Sequence, residues 1–399
     1  MKKRTYTMLG IASVIVVGAV VALTVFTDFG GPSTKSSSEK NQETTQSTVV
    51  PSKSTPQSSN TAEETNNLED MLEQMTTEEK VGQLFLARVP ESNAVADIQQ
   101  YHLGGYLLFG RDVESATLEE EQALVNSFQE ASQVPMLIAA DEEGGTVTRV
   151  SNNQNLVAAP FQSPQALYTQ GGWDAITTDT KEKAATLKNL GISAGLFPVA
   201  DVATDPNAFI YDRTIGQDAQ GTAQYVTTVV KALKEAGSGS TLKHFPGYGN
   251  NQDSHTEIVT DTRSLEELEN NDLIPFQAGI EAGVDSILVS HNIVNAIDPS
   301  LPASISQPVH ELLREELGFD GVVMTDDMDM AGLANFISQE EAGLKALQAG
   351  NDLILSSTYA SQIPYVLQAL EEGTYSKEDL DASVLRVLNW KEELGLLAE

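Results

Sequence analysis

The stretch Lys243–His255 reads Lys-His-Phe-Pro-Gly-Tyr-Gly-Asn-Asn-Gln-Asp-Ser-His and follows the short apolar run Ser240–Leu242. Its proline and glycines break the run and predict a loop. The loop closes on Asp253 and His255, whose side chains point the same way in extended backbone because they are two residues apart. A carboxylate beside an imidazole can orient it and tune it as a general acid/base near neutral pH. A surface loop with a chance Asp-x-His pair is the alternative.

The chain around this loop alternates short apolar runs with longer amphipathic stretches. The runs predict eight strands: Val81–Ala87, Gly105–Phe109, Met136–Ala140, Ala194–Val199, Ser240–Leu242, Ser286–Val289, Gly321–Met324 and Leu353–Leu355. The stretches between them predict helices such as Leu118–Ala131, Asp174–Leu190, Ala219–Ala236, Leu265–Glu281 and Gln339–Ala349. Eight strands alternating with helices predict an α/β fold, a single (β/α)8 TIM-type barrel, with a doubly wound open sheet as the competing architecture.

Polar residues follow the predicted strands. They are Asp141 after the third, Asp201 after the fourth, Lys243 and His244 after the fifth, His291 after the sixth, and Asp326 and Asp327 after the seventh. Barrel active sites are built at the C-terminal ends of the strands, so we expect these side chains at one rim. Each also has an ordinary explanation, and Asp327 is expected to cap the next helix. His102 and His310 are expected at the surface, in or beside helices.

Composition limits the function classes. With 399 residues, 40% of them hydrophobic, the chain can bury one large core or two modest ones. A formal net charge of −34 argues against nucleic acid or anionic polymers as partners. The absence of cysteine excludes disulfides, thiolate metal sites and a lipid-carrying cysteine. No His-rich run with metal-ligand spacing appears, so we predict no metal and no cofactor.

The N-terminal region differs from the rest of the chain. A basic flank precedes the uncharged run Met8–Phe26, which is about 28 Å long as a helix and can cross a bilayer. We therefore predict a signal anchor, or alternatively a signal peptide, over 1–28, with an exported body. Residues 29–66 are rich in Ser, Thr, Gln and Asn and predict a disordered linker, which leaves 67–399 as the barrel domain.

Six markers carry a family resemblance. They are Asp141–Gly145 with Arg149, Phe197–Val202, Arg213–Gly216, Lys243–His255, Leu313–Gly321 and Thr325–Met330. In order and spacing they resemble glycoside hydrolase family 3, in particular its bacterial β-N-acetylglucosaminidase branch, over essentially Leu68 to Leu397. The resemblance implies a barrel that cleaves a glycosidic bond with retention of anomeric configuration.

The resemblance also implies roles for residues at matching positions. Asp326 matches the nucleophile that forms a glycosyl-enzyme, a step that suits a carboxylate. His255 matches the acid/base of this branch, with Asp253 as its orienting partner. A helix cap is the alternative role for Asp326.

Substrate contacts carry over in the same way, to Asp141, Arg213, Lys243 and His244. For Lys243 and Arg213, structural ion pairing is the alternative. The chain departs from the branch at three positions, where it has Tyr248, Asn250 and Thr146 instead of the usual His, Asp and Arg.

The leading hypothesis is an exo-acting β-N-acetylglucosaminidase that removes terminal N-acetylglucosamine from peptidoglycan-derived or related glycans. Its expected partner is carbohydrate, with a membrane contacted only through the N-terminal segment and a monomeric body. We expect it at the extracellular face of the membrane, or secreted into the cell wall. A β-N-acetylglucosaminide phosphorylase and a non-catalytic sugar-binding protein are the alternatives.

Overall fold

The computed structural model describes residues 60–249, 251 and 258–397. Three sequence predictions lie outside the described residues: the membrane-spanning run Met8–Phe26, most of the linker 29–66, and the pair Asp253 and His255. Among the residues that are described, no helix is long and apolar enough to cross a membrane.

The strands are short and pair in parallel. They are β1 (Phe85–Arg88), β2 (Gly105–Leu108), β3 (Leu137–Ala140), β4 (Ala194–Gly195), β5 (Thr241–Phe245), β6 (Thr260–Asp261), β7 (Ser286–Val289), β8 (Ile293–Val294), β9 (Val322–Thr325) and β10 (Ile354–Ser356). One sheet has the order β10-β1-β2-β3-β4, a second β5-β7-β9, and β6 pairs with β8. The predicted α/β fold with parallel strands is confirmed.

Isolated parallel bridges extend this pairing beyond the two larger sheets. Ala194 in β4 bridges to Gly239, two residues before β5, and Met324 in β9 bridges to Leu353, the residue before β10. The C-terminal ends of the strands therefore face one side, where the residues that follow them can meet.

Helices separate the strands. They are α1 (Asn60–Gln74), α2 (Thr77–Gln83), α3 (Ala94–Tyr101), α4 (Gly110–Val113), α5 (Leu118–Ala131), α6 (Pro164–Asn189), α7 (Ala219–Ala236), α8 (Leu265–Glu267), α9 (Leu273–Ala282), α10 (Gln307–Glu311), α11 (Ala331–Ala334), α12 (Gln339–Ala349), α13 (Tyr359–Glu372) and α14 (Lys377–Glu393). Short 3₁₀ helices span Tyr211–Arg213 and Ala303–Ile305, and π-helical turns span Leu268–Asp272 and Leu312–Glu316.

Capping residues explain where the well-predicted helices begin and end. Thr117 and Glu120 form a capping box at the start of α5, each accepting a backbone N–H of the other. Asp218 caps α7, and Gly237 ends that helix in the left-handed conformation with φ 62°. The predicted bounds of α5, α7 and α12 match the structure because these signals are local.

The core lies between the strands and the surrounding helices. Every residue of β2, β3, β7 and β9 is buried, as expected for parallel strands covered on both faces. Tyr106 of β2 packs edge-on against Phe128 of α5, with ring centroids 5.0 Å apart. Such aromatic contacts fix the distance between a helix and the sheet beneath it.

Two predictions about this core were wrong. The first strand does not begin at Val81. A capping box between Thr76 and Glu79 starts α2 at Thr77, and that helix continues through Gln83. His310 is not at the surface: it is 3% exposed, and its Nδ1 donates to the Ser306 carbonyl. An apolar helical turn and an apolar strand look alike over a few residues, which explains the first error.

The close approach of β2 and β3 yields a stability prediction. A methyl group at Gly105 would lie 2.2 Å from the Leu137 carbonyl oxygen, whereas one at Gly110 would have no atom within 4 Å. We expect Gly105→Ala to lower the free energy of unfolding by about 1–3 kcal/mol, as overpacking does. The matched control Gly110→Ala should change it by less than about 0.5 kcal/mol. Urea unfolding measures both, and equal effects would contradict the packing assigned to β2.

Candidate active site

Five side chains predicted from the sequence meet at one cavity. Asp141 follows β3, Lys243 and His244 belong to β5, Asp326 follows β9, and Arg213 ends the 3₁₀ helix between β4 and α7. All five line a cavity of about 240 Å³. The structure thus brings together the predicted substrate contacts and the predicted nucleophile.

A register shift in β5 lets two neighbouring side chains reach this cavity. Lys243 pairs with Leu288 of β7 and Phe245 pairs with Val289, so His244 is an extra residue in the ladder. Such a bulge redirects a side chain that would otherwise point to the opposite face. The peptide bond between Lys243 and His244 is cis.

Lys243 lies between two carboxylates. Its Nζ is 2.7 Å from an Asp141 carboxylate oxygen and 2.6 Å from one of Glu143, and its side chain is 3% exposed. Burial alone would lower the pKa of Lys243, but Asp141 and Glu143 outweigh it and raise that pKa. Lys243 is therefore an ammonium ion held in place from two sides.

Glu143 joins Lys243 to Arg213. The Arg213 Nε and Nη2 donate to the two Glu143 carboxylate oxygens, at 3.0 and 2.8 Å. Against the effect of burial, Lys243 and Arg213 lower the pKa of Glu143 to about 2. Burial would also raise the pKa of Asp141, but Lys243 and Arg149 outweigh it and hold that pKa well below its usual range. Both acids are ionised across the physiological range.

His244 has one defined tautomer. Arg213 Nη2 lies 3.1 Å from His244 Nε2 and only donates, so Nε2 accepts and Nδ1 carries the proton. That proton is donated to Asp201 at 2.8 Å. Burial, and then the Arg213 charge, lower the pKa of His244 well below its usual value, so the ring is neutral.

Asp201 supports the cavity from behind instead of lining it. It is fully buried, and its other carboxylate oxygen accepts the Tyr248 backbone N–H at 2.7 Å. Burial raises its pKa to about 6. The Tyr248 ring packs edge-on against His244, with centroids 4.9 Å apart, so this departure from the family pattern fills space beside the imidazole.

Asp326 is held by backbone contacts at the end of β9. Its N–H donates to the Val289 carbonyl at 2.9 Å, and its Oδ1 accepts the Asp327 N–H at 2.8 Å. The Asp327 carbonyl in turn accepts a hydrogen bond from His291 Nε2 at 2.9 Å. His291 follows β7 as expected but is fully buried and does not line the cavity; its Nδ1 lies 2.7 Å from the Ser304 hydroxyl.

Asp327 does not cap the following helix, contrary to expectation. Its carboxylate pairs with Arg88 and accepts the Asp329 N–H at 3.0 Å, while α11 starts only at Ala331 with Met330 as its N-cap. Burial raises the pKa of Asp327 to about 6. The side chain lines the cavity beside Asp326.

Four residues of the site were not predicted as contacts from the sequence. Arg88 and Arg149 lie over the Phe109 ring, with guanidinium carbons 4.8 and 5.5 Å from its centroid, and all three line the cavity. Arg149 also donates to Asp141 at 3.2 Å. The fourth is Glu143. Position was a signal for Arg88 and Phe109, which end or follow strands. Arg149 and Glu143 belong to the Asp141–Arg149 marker, but no local pattern showed that they form ion pairs.

The predicted acid/base pair Asp253 and His255 lies outside the described residues. On either side of it the structure describes the chain up to Gly249, together with Asn251, and again from Ile258. Among the described side chains, no group of three or more His, Asp or Glu is arranged to hold a metal ion.

Comparisons with known proteins identify the family of this chain. The profile of the glycosyl hydrolase family 3 N-terminal domain matches residues 76–390. A β-hexosaminidase of Xanthomonas campestris is 34% identical over 309 residues, covering 76% of this chain and 90% of that protein. The β-hexosaminidase LpqI of Mycobacterium tuberculosis is 32% identical over 330 residues, covering 79% of this chain and 83% of that protein.

A solved structure gives the same result. The family 3 β-N-acetylglucosaminidase of a Paenibacillus species superposes with a TM-score of 0.76 at 33% identity, over 82% of this chain and 64% of that chain. The domain match, the relatives and the cavity at the strand ends lead to one conclusion: this chain belongs to glycoside hydrolase family 3 and is a glycoside hydrolase.

Proposed function

We propose that the protein is a retaining exo-β-N-acetylglucosaminidase that hydrolyses terminal β-linked N-acetylglucosamine. The observation that carries the proposal is the meeting of Asp326 with Asp141, Arg213, Lys243 and His244 at one cavity. That cavity, about 240 Å³, is smaller than the roughly 300–1,000 Å³ of sites for drug-sized ligands. It suits a single sugar at the end of a chain, and two relatives are named β-hexosaminidases.

The proposed architecture is a closed (β/α)8 barrel over 67–399. The isolated bridges Ala194–Gly239 and Met324–Leu353 support closure, since they join the edges of the two larger sheets in parallel. A closed ring of parallel strands would aim every strand end at the cavity.

Lys243 and Arg213 are proposed to bind sugar hydroxyls. The Arg213 contacts use Nε and Nη2, so among the described residues the Nη1 donors have no partner. Lys243 uses two of its three N–H donors on Asp141 and Glu143. The remaining donors are already oriented by the carboxylates, so binding a hydroxyl requires little further ordering.

Asp326 is proposed as the nucleophile. The Asp327 N–H orients its carboxylate, which would attack the anomeric carbon and form a glycosyl-enzyme that water then hydrolyses. His255, oriented by Asp253, is proposed to protonate the leaving oxygen and then to activate that water. This second assignment is supported by the sequence alone.

Hydrolysis is favoured over phosphorolysis by the charges around the cavity. Each cation that lines it already has a carboxylate partner: Arg88 with Asp327, Arg149 and Lys243 with Asp141, and Arg213 with Glu143. A phosphate dianion would have to compete with these acids and approach Asp326. Added phosphate should therefore leave turnover unchanged, and a rate that rises with phosphate would favour the phosphorylase.

The proposals for natural substrate and location are based on the sequence: the family resemblance for the substrate, and residues 1–28 for the location. We propose peptidoglycan-derived or related glycans as substrate, reached by a monomeric body outside the cell and tethered through residues 1–28. Fractionation of cells expressing the full chain, followed by activity assays, tests the location.

The nucleophile assignment gives a first prediction for activity. Asp326→Ala should lower kcat on a nitrophenyl β-N-acetylglucosaminide by at least about 10³-fold, because the glycosyl-enzyme cannot form. Azide, which can occupy the vacated position, should restore turnover and give the α-glycosyl azide. The control Asp320→Asn changes an exposed acid six residues upstream and should retain activity. A β-configured azide product, or an active Asp326→Ala variant, would contradict the assignment.

Glu143 gives a prediction in pH dependence. Its folded pKa, about 2, lies below its ordinary value of 4.5, so the unfolded chain binds more protons between these values. Its contribution to stability is therefore complete above pH 4.5 and is lost as pH falls toward 2. Glu143→Gln should lower the free energy of unfolding at pH 7 by on the order of 3 kcal/mol. The loss of stability as pH falls from 4.5 toward 2 should also be smaller in this variant. In kinetics, the substitution should raise KM more than it lowers kcat.

Glu121 of α5 is a control because its pKa is shifted in the direction opposite to that of Glu143. Burial raises its pKa to about 7, and its carboxylate oxygens have no hydrogen-bond partner in the described structure. The folded chain then binds more protons between pH 4.5 and 7, so stability falls as pH rises through that window. Glu121→Gln should stabilise the protein above pH 7 and leave KM unchanged. Urea unfolding across pH measures both variants. If both substitutions changed the free energy of unfolding above pH 7 in the same direction, the two assignments would be contradicted.

A further inference from the structure

Arg263 binds backbone and side chains on both sides of the segment that carries the proposed acid/base. Its Nε lies 3.0 Å from each Asp261 carboxylate oxygen, and its Nη1 lies 2.6 Å from Asp272. Its Nη2 donates to the Gly247 carbonyl at 2.9 Å. Asp261 and Asp272 are buried and Arg263 is 22% exposed, so these are charge-assisted bonds that are largely shielded from water.

The backbone around Gly247 lies directly against this ion-pair cluster. A Cβ atom at Gly249 would be 2.2 Å from Arg263 Nη1, and one at Gly247 would be 2.7 Å from Asp272 Oδ1. Both glycines have positive φ, 116° and 55° for Gly247 and Gly249, which other residues rarely adopt. The sequence therefore leaves room for the guanidinium beneath the chain at this point.

The same backbone leads into the candidate active site. Gly247 precedes Tyr248, whose N–H donates to Asp201 at 2.7 Å and whose ring packs on His244. On the other side of the segment, Asp261 belongs to β6, which pairs with β8. One guanidinium thus ties the chain at Gly247 to the chain at Asp261.

We propose that Arg263 is a positioning residue for the acid/base step of the reaction. By tying Gly247 to Asp261, it fixes the two described points of the chain between which Asp253 and His255 lie in the sequence. This inference rests on the proposed role of His255. Arg263 would not touch substrate, and it would act only through the chain it anchors.

The planar guanidinium is what the role requires. It presents five donors in a fixed fork, so one side chain can bind two carboxylates and a carbonyl together. A lysine would keep the charge but present a single ammonium group, which cannot span the same three acceptors. Arg263→Lys should therefore have a kcat/KM on the phenyl glycoside between that of wild type and that of Arg263→Met.

The test uses leaving groups of different reactivity. A dinitrophenyl β-N-acetylglucosaminide departs without protonation, whereas a phenyl β-N-acetylglucosaminide needs the acid. Misplacing the acid should lower kcat/KM of Arg263→Met on the phenyl glycoside by about 10²-fold and on the dinitrophenyl glycoside by less than about threefold. His255→Ala, measured in parallel, should show the same selectivity more strongly. Azide should accelerate both variants and give the β-glycosyl azide.

Arg314 supplies a matched control. Its side chain is 19% exposed against 22% for Arg263, and it also binds a buried acid, Asp352. It donates to the Phe319 and Gly321 carbonyls at 2.7 and 2.6 Å and does not line the cavity. Arg314→Met should destabilise the fold to a similar extent but reduce kcat/KM equally for both glycosides.

The outcomes separate this inference from the function on which it rests. Leaving-group selectivity in His255→Ala and Arg263→Met, but not in Arg314→Met, supports it. Selectivity in His255→Ala alone, or in Arg314→Met as well, overturns the positioning role and leaves the proposed function standing. No selectivity in His255→Ala overturns the acid/base assignment and this inference with it. If Arg263→Met does not fold, Arg263→Lys carries the same comparison.

Discussion

The cavity depends on a group of buried charges: Lys243 and Arg213 with the carboxylates of Asp141 and Glu143. Transferring such ions from water is costly, and well-packed apolar residues would often serve stability equally well. Their presence at the strand ends is therefore better explained by function than by folding. Because β3 precedes the two acids and β5 supplies the lysine, the group forms only when the sheets are in register.

The balance of these charges suits a neutral ligand. The protein is strongly acidic, with 57 Asp and Glu against 23 Lys and Arg, yet four of the Lys and Arg side chains that the structure describes line one small cavity. Each is matched by a carboxylate, and the His244 ring between them is neutral. Such a surface offers oriented donors and acceptors without a net attraction for anions, which is what recognition of sugar hydroxyls requires.

Local signals in the sequence predicted much of this arrangement. The amphipathic pattern predicted the bounds of α7, which the caps Asp218 and Gly237 confirm, and polar residues after apolar runs identified Asp141, Lys243 and Asp326. Where a residue's role depends on a distant partner, the sequence had no equivalent signal. Asp327 was assigned to a helix cap because its partner Arg88 lies 239 positions away. Glu143 was missed as a site residue because a buried ion pair and a solvated acid look the same in a sequence.

The groups proposed to act on substrate depend on two different sets of contacts. Asp326 and the cations that line the cavity are fixed by the sheet itself, through strand register and the buried carboxylates. The segment containing His255 is joined to that frame through Gly247 and Asp261, and Arg263 is the contact common to both. Perturbing the first set should therefore affect binding and nucleophilic attack together, since they share one frame. Perturbing the second should affect proton transfer while leaving the nucleophile and the sugar contacts in place.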